Sequence, residues 1–204
     1  MSRPIPDTVV PLQKRARETR AALLAAVERV VAAEGPDGVT TTRIATETGV
    51  AVGTIYRYFA DRDALLLATY DETVGRIVAE CRSALETLPH EVEAARAARL
   101  LLGRYLDAAE AIPAHSGLLR AMRSIRPVAA DQSANEDGIV SQIFAPFIAR
   151  FAPSAATTPA ALHLMSVTIG TLVDLYLVTD GDAERDWLRG EIEAHVAFMV
   201  GRLG

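Results

Sequence analysis

A cluster of hydrogen-bonding side chains lies in the stretch TGVAVGTIYRYFADRDAL, residues 48–65. Thr54, Tyr56, Arg57 and Tyr58 stand almost side by side within it. Hydroxyl and guanidinium groups are good donors to phosphate oxygens. Covalent catalysis needs a nucleophile activated by a base, and this stretch holds no such pair. It therefore predicts non-covalent binding of a phosphate-bearing partner, and the simplest alternative is a surface helix with two half-buried tyrosines.

Other reactive groups are scattered along the chain. His90, His115, His163 and His195 share no metal-ligand spacing with carboxylates or with Cys81. The phosphate-binding patterns GxGxxG and GxxxxGK[ST] are missing, and so is the nucleophile motif GxSxG. A small all-helical enzyme would need a cluster of titratable groups, which the sequence does not supply. We therefore expect no enzymatic activity, no metal and no cofactor.

Charge is unevenly distributed along the 204 residues. The net charge is −5, yet residues 1–62 hold nine Lys and Arg against seven Asp and Glu. Lys14, Arg15, Arg17 and Arg20 stand close together in that part. A basic beginning on an acidic chain indicates a polyanion bound at one end only. Arg15 and Arg17 either reach DNA or form an ordinary solvated helix surface.

Cysteine content and the N-terminal residues bear on location. One cysteine forms no internal disulfide, which favours a reducing compartment. The beginning, MSRPIPDTVVPLQKR, lacks the apolar run of a signal peptide, and no uninterrupted apolar stretch approaches ~20 residues. We therefore expect a cytoplasmic protein with no membrane partner.

Helical periodicity covers almost the whole chain, and no strand is predicted. Two short helices are expected on either side of Gly49, one from about Thr42 and one from about Val52 to Phe59. Apolar stripes predict longer helices at residues 12–33, 61–88, 91–111, 115–126, 136–151, 159–179 and 183–202. The predicted fold class is all-α, with a three-helix head, a helical body and about nine helices.

Gly49 has the surroundings of a turn between two packed helices. Ala45 supplies a small residue where the helices cross, and glycine tolerates a left-handed backbone at the turn. Ile44, Val50 and Ile55 are placed to bury the contact. This arrangement is a helix-turn-helix, whose second helix lies in a DNA major groove.

The second short helix is predicted to have an inner and an outer side. Ile55 and Phe59 lie four residues apart and face inward. The residues left to face outward are Val52, Gly53, Thr54, Arg57 and Tyr58, while Tyr56 packs along its ring and keeps its hydroxyl free. The opening cluster of donors is then the outer side of a recognition helix.

The stretch TTTRIATETGVAVGTIYRYFADRDALLLATYDE, residues 40–72, resembles the TetR (tetracycline-repressor-like) family of transcriptional regulators. The shared pattern GVxxGTxYxYFxxxxxLL joins the turn, the recognition helix and the next helix at fixed spacing. The resemblance is sharp over residues 15–70, and beyond them it extends to size and helical character. It implies a DNA-binding domain at residues 1–60 and a ligand-binding and dimerisation domain at residues 61–204.

The resemblance also implies which residues contact DNA. The second helix would contribute Thr41, Thr42 and Arg43; base edges or sugars would meet Val52, Gly53 and Thr54; phosphates would be held by Tyr56, Tyr58 and Arg62. Many relatives carry Ser-Lys where this chain has Ala51-Val52, and valine can touch a thymine methyl but cannot donate to guanine. Arg57 then takes over part of the readout. The departure leaves one alternative function, a helical ligand- or partner-binding module without operator recognition.

The family's ligand pocket lies in the body, between the helix that leaves the head and the later helices. Candidate wall residues, each of which would serve equally as plain core, are Leu101, Tyr105, Met122, Ile125, Phe144, Phe147, Ile148, Met165, Ile169 and Tyr176. Arg123 is a candidate polar anchor, as is His115, which we expect at the surface. Asp174 lies at a rim, pairs with an arginine, or meets a ligand. The apolar wall predicts a hydrophobic effector.

The last two helices carry the predicted dimer contacts. Helix 159–179 is apolar nearly all round and must be covered on every side. In the family these helices pair with their copies across a twofold axis; burial inside a monomer is the alternative. The predicted interface residues are Leu164, Leu172, Leu175, Leu188, Ile192, Val196 and Met199. Taken together, the resemblance implies a homodimeric repressor that binds a palindromic double-stranded operator and is released by a small effector.

Overall fold

The computed structural model describes residues 9–126, 136–155 and 158–202. Within these ranges the chain forms nine α-helices and no strand, which confirms the predicted all-α class. The helices are α1 (Val9–Glu34), α2 (Thr41–Thr48), α3 (Val52–Ile55), α4 (Arg62–Thr87), α5 (Ala94–Glu110), α6 (His115–Ile125), α7 (Ala145–Phe151), α8 (Pro159–Val178) and α9 (Asp182–Gly201). A 3-10 turn spans Pro36–Gly38, and a π-helical segment spans Glu136–Phe144.

The chain divides into two compact units, residues 1–69 and residues 70–204. Helix α4 continues through the division without a break. We call the first unit the head and the second the body. The assignment of functions to residues 1–60 and 61–204 stays a prediction.

The head is built on the predicted stripe of α1. Leu23, Leu24, Val27, Val30 and Val31 are all buried. Helix α1 packs against α2 and against the 3-10 turn. Burying each large aliphatic side chain contributes about 1.5–3 kcal/mol. The head core is closed by Val39, Ile44, Ala45, Ile55, Phe59, Leu65 and Leu66.

The body packs α5 along α9, with α8 against α9, α6 and the π-helical segment. Leu106 of α5, Leu118 of α6 and Ile192 of α9 are almost fully buried. At the edge of this core, Arg189 Nη2 donates to Asp107 Oδ1 at 2.7 Å, which ties α9 to α5. The body therefore holds its helices together by aliphatic packing with charged ties at the rim.

Helix α3 is shorter than the sequence predicts. It ends at Ile55, and residues 56–58 form a turn before Phe59. The amide N–H of Phe59 still donates to the Ile55 carbonyl at 3.0 Å. The predicted inward pair of Ile55 and Phe59 is therefore held by one helical hydrogen bond, even though the regular helix stops early.

Candidate nucleic-acid interface and body cavity

The turn between α2 and α3 has the predicted glycine geometry. Gly49 adopts φ 69° and ψ 22°, the left-handed region that residues with a Cβ rarely enter. The amide N–H of Val50 donates to the Ala45 carbonyl at 3.1 Å and so closes the end of α2. At its beginning, the Thr40 hydroxyl accepts the N–H of Arg43 at 3.1 Å as an N-cap. Both ends of α2 are thus fixed by local bonds.

The segment after Gly49 has a buried side and an open side, as predicted. Ile55 and Phe59 are buried, while Gly53, Tyr56 and Arg57 are exposed. Val52, Thr54 and Tyr58 are half-buried. Tyr56 is 54% exposed, so its ring as well as its hydroxyl is available, which differs from the predicted packed ring.

Gly53 leaves the backbone accessible on the open side. A Cβ placed on Gly53 would meet no atom within 4 Å. Glycine at this position therefore presents its backbone directly to whatever docks there. Ala51 occupies the N-cap position of α3 and makes no side-chain hydrogen bond to the helix. Many relatives carry serine at this position, and alanine lacks the hydroxyl that would make that bond.

Two arginines predicted to contact DNA have partners within the head. Arg62 Nε donates to the Val39 carbonyl at 2.8 Å, and its Nη2 donates to the Pro36 carbonyl at 2.7 Å. Arg43 donates to Glu34 at 2.6 Å, and this hydrogen bond lowers the pKa of the Glu34 carboxyl. Arg62 therefore fastens the 3-10 turn to α4, and Arg43 fastens α2 to α1.

The other predicted DNA-binding positions divide by exposure. Thr41 is half-buried and Thr42 is exposed at the start of α2. Lys14, Arg15 and Arg17 are exposed on α1. The head therefore exposes both hydroxyl donors and cations, the groups that bind phosphates.

The body contains a partly open cavity of about 180 Å³. Seven of the nine predicted ligand-binding residues line it: Leu101, Tyr105, Arg123, Phe144, Phe147, Met165 and Ile169. Ile148 lines it too. Met122 is buried elsewhere in the core, and the Tyr176 hydroxyl donates to Glu110 at 2.5 Å outside the cavity.

One ion pair stands in the otherwise apolar cavity wall. Arg123 on α6 binds Asp174 on α8, one of the three environments that the sequence left open for Asp174, while contact with a ligand stays a prediction. Both members also line the cavity. Their side chains are 36% and 22% exposed, so solvent screens the pair only partly.

Cys81 and His115 occupy buried positions. Cys81 lines the cavity, and burial raises the pKa of its thiol to about 12, which makes it an inert apolar contact as predicted. The prediction that His115 lies at the surface is wrong. It begins α6 against α4, with Nδ1 2.8 Å from Thr73 Oγ1 and its ring stacked on Tyr70 at 5.7 Å. The first residue of a helix is buried when another helix packs against it, as α4 packs against His115 here.

The predicted dimer residues fall into two groups. Leu164 and Leu175 of α8 are exposed, and Leu172 and Met199 are half-buried. Leu188, Ile192 and Val196 are buried within the body, because the aliphatic stripe of α9 packs on the chain's own helices. Sequence reasoning passed over Trp187 and Phe198, each 64% exposed. Trp187 and Phe198 lie three helical turns apart, on the side of α9 opposite the buried stripe. That spacing in the sequence could have identified them as a second apolar surface.

Helix α8 is long and apolar enough to cross a membrane by length and composition, although His163 and Asp174 interrupt its apolar run. One such helix is weak evidence, since a core helix of a soluble protein passes the same test. Only 22% of its most apolar 18-residue window is buried within the chain. Its remaining surface therefore needs a cover.

Metal ligands are not grouped in the parts of the chain that the structure describes. No three residues among His, Cys, Asp and Glu there come together in a way that would hold an ion.

The fold and the open side of the helix-turn-helix define a class: all-helical, DNA-binding regulators with a ligand-binding body. Residues 23–69 match the family model described as "Bacterial regulatory proteins, tetR family". The match falls within the segment in which the sequence resembles the family, and that resemblance is confirmed. No curated protein matches the chain by sequence.

Solved structures of transcriptional regulators share this fold over 88–92% of the chain. A TetR family transcription regulator from Marinobacter aquaeolei is 17% identical, with 92% of this chain and 98% of that chain covered and a TM-score of 0.61. FadR from Bacillus subtilis, in complex with stearoyl-CoA, is 17% identical over 88% and 97%, with a TM-score of 0.63. The TetR family repressor AlkX from Dietzia sp., implicated in biodegradation of n-alkanes, is 14% identical over 90% and 97%, with a TM-score of 0.62.

Proposed function

We propose that the protein is a ligand-responsive repressor. A homodimer binds a palindromic double-stranded operator in the cytoplasm, and a small, largely hydrophobic effector releases it. The observation that carries the proposal is the open side of the helix-turn-helix, where Gly53, Tyr56 and Arg57 are exposed above buried Ile55 and Phe59. The protein has no enzymatic step in this proposal.

The DNA contacts follow from donor type and exposure. Arg57 supplies a cation and Tyr56 a hydroxyl, and Thr42 adds a second hydroxyl from α2. Base readout falls to the half-buried Val52 and Thr54, through methyl contacts and one hydroxyl. Binding built on phosphate contacts weakens steeply with salt.

The effector site is the body cavity, whose wall α4 helps to form. Tyr70, Val74, Val78 and Cys81 of α4 line it. The same helix begins at Arg62 in the head, so a ligand that displaces its wall residues acts on an element that both units share. A coupling of about 1–3 kcal/mol between the two sites is enough for a switch. The complex of FadR with stearoyl-CoA supports ligand binding by this fold.

The proposed dimer uses the uncovered sides of α8 and α9. Leu164, Leu175, Trp187 and Phe198 are large, apolar and exposed there. An apolar helix that its own chain covers poorly is stabilised by a second copy. Two heads in a symmetric dimer then read the two halves of a palindrome.

The test is DNA binding as a function of salt, measured by fluorescence anisotropy with the duplex upstream of the protein's own gene. Arg57→Ala should weaken binding and lower the slope of log affinity against log salt by about 1, because one phosphate contact is lost. Arg29→Ala is the matched control. It removes the same charge from an exposed position on α1 that pairs with Glu47 at 3.8 Å, and it should leave the slope unchanged.

A second candidate function is a ligand- or partner-binding module without operator recognition. The uncapped start of α3 at Ala51 and the apolar Val52 favour it. Under this candidate the wild type binds the duplex weakly, and Arg57→Ala and Arg29→Ala change that binding equally. That result would remove the repressor proposal.

A further inference from the structure

The cavity limits the size of its occupant. Its volume is about 180 Å³, close to the roughly 150 Å³ of an apolar protein cavity that admits benzene. Sites for drug-sized ligands enclose about 300–1,000 Å³. The space inside the wall therefore has room for one ring or a short chain.

The cavity wall also limits the charge of its occupant. Among the described residues that line it, Arg123 and Asp174 are charged, and they bind each other. The wall is therefore electrically neutral. A charged ligand must break this pair, bind one member against repulsion from the other, or place its charge against apolar side chains such as Phe144, and each of these costs free energy.

The ion pair nevertheless offers hydrogen bonds. A guanidinium has five N–H donors, more than one salt bridge uses. A hydroxyl, carbonyl or amide can bind at the pair without adding charge. Ser166 and Thr171 line the cavity from the same helix as Asp174 and lie one or two turns before it, which makes this wall the more polar one.

Resting on the proposed effector site, we propose that the effector is a small uncharged molecule, one ring or a short chain, with a single hydrogen-bonding group held at the Arg123–Asp174 pair. Acyl thioesters of coenzyme A, which carry several negative charges, should bind this cavity more weakly than an uncharged ligand. The pair favours an uncharged ligand because the positive charge of Arg123 and the negative charge of Asp174 compensate each other.

Isothermal titration calorimetry of the full chain without DNA tests the proposal with probes of one size. They are p-cresol (neutral, with a hydroxyl), toluene (neutral, without one), benzoate (an anion) and benzylamine (a cation); stearoyl-CoA is the large probe. We expect p-cresol to bind most tightly, toluene more weakly, and both ions at least about tenfold more weakly than p-cresol. Tighter binding of benzoate, benzylamine or stearoyl-CoA than of p-cresol would overturn the proposal, as would no binding of either neutral probe at millimolar concentration.

Two single variants should reverse the selectivity. Asp174→Asn leaves the Arg123 cation without its counter-charge, so benzoate should overtake p-cresol. Arg123→Gln leaves the Asp174 carboxylate, so benzylamine should gain instead. Arg99→Gln, at an exposed arginine of α5 that does not line the cavity, is the control and should keep the wild-type order. An unchanged order in both cavity variants contradicts the proposal.

Circular dichroism checks that each variant is folded. If a single variant is not folded, the double variant Arg123→Gln with Asp174→Asn leaves no charge in the wall and should keep p-cresol above both ions. Because no DNA is present, the result is separate from the repressor proposal. The expected selectivity without any operator binding would remove the repressor and keep this inference; operator binding with a preference for charged probes would do the reverse.

Discussion

At the scale of the residue, His115 should make the stability of the body depend on pH. Burial lowers the pKa of its imidazole to about 4 from the ordinary 6.5, with the Arg76 charge as a second cause. Between pH 4 and pH 6.5 the imidazole of His115 is therefore protonated in the unfolded chain and neutral in the folded chain. Stability from the neutral ring is complete above pH 6.5 and is lost as the pH falls from 6.5 towards 4, by up to about 1.4 kcal/mol per pH unit.

Urea unfolding between pH 4.5 and pH 8 measures this loss. His115→Asn should be less stable at pH 8, because it shrinks a buried side chain, yet its stability should change less with pH. His195→Asn is the control at an exposed histidine and should keep the wild-type slope. If His115→Asn keeps that slope too, another group is responsible.

The sequence predicted side-chain chemistry at single residues better than side-chain partners. Exposed Arg57 and the buried pair Ile55 and Phe59 were predictable from spacing alone. Arg62 was expected at phosphates, and in the structure it donates to backbone carbonyls at positions 36 and 39. A carbonyl acceptor leaves no signature in the sequence, because every residue has one.

At the scale of the element, helices with strong end signals were predicted closely. Thr158 accepts the N–H of Ala161 at 3.2 Å and Pro159 begins α8, as the Thr-Pro pair indicates. Helix α3 was predicted four residues too long, since no local stop signal follows Ile55. The π-helical segment Glu136–Phe144 was predicted as ordinary helix, because its apolar spacing does not distinguish the two.

Two glycine substitutions should have opposite effects on helix stability. Gly49 has φ 69°, so Gly49→Ala places a Cβ in a strained backbone and should destabilise the head by about 1–2 kcal/mol. Gly75 is exposed within α4, and a Cβ there would meet no atom within 4 Å. Gly75→Ala should stabilise by about 0.5–1 kcal/mol, because alanine is the better helix former. Thermal unfolding of both variants measures the two changes in stability. If both changes had the same sign, the different backbone conformations of Gly49 and Gly75 would not explain them.

At the scale of the whole molecule, the uncovered apolar surface is the feature that one chain leaves unexplained. The sequence predicted that α8 needs cover on every side, and in the structure the chain covers about a fifth of its most apolar window. It could not show which side of α9 faces outward, because Leu188, Ile192 and Val196 form an equally apolar stripe. Only packing within the body distinguishes that stripe from Trp187 and Phe198.

The proposed dimer therefore predicts a fluorescence signal from Trp187, the only tryptophan of the chain. It is 64% exposed in one chain, so association should bury it and shift its emission to shorter wavelength. Phe198→Glu places a charge in the same surface. It should shift the emission to longer wavelength and give a monomer in sedimentation velocity, because an unpaired charge is costly to bury. Leu100→Glu, at an exposed leucine of α5, should change neither measurement. Dimers that persist in Phe198→Glu with unchanged Trp187 emission would place the interface elsewhere and leave α8 and α9 without their proposed cover.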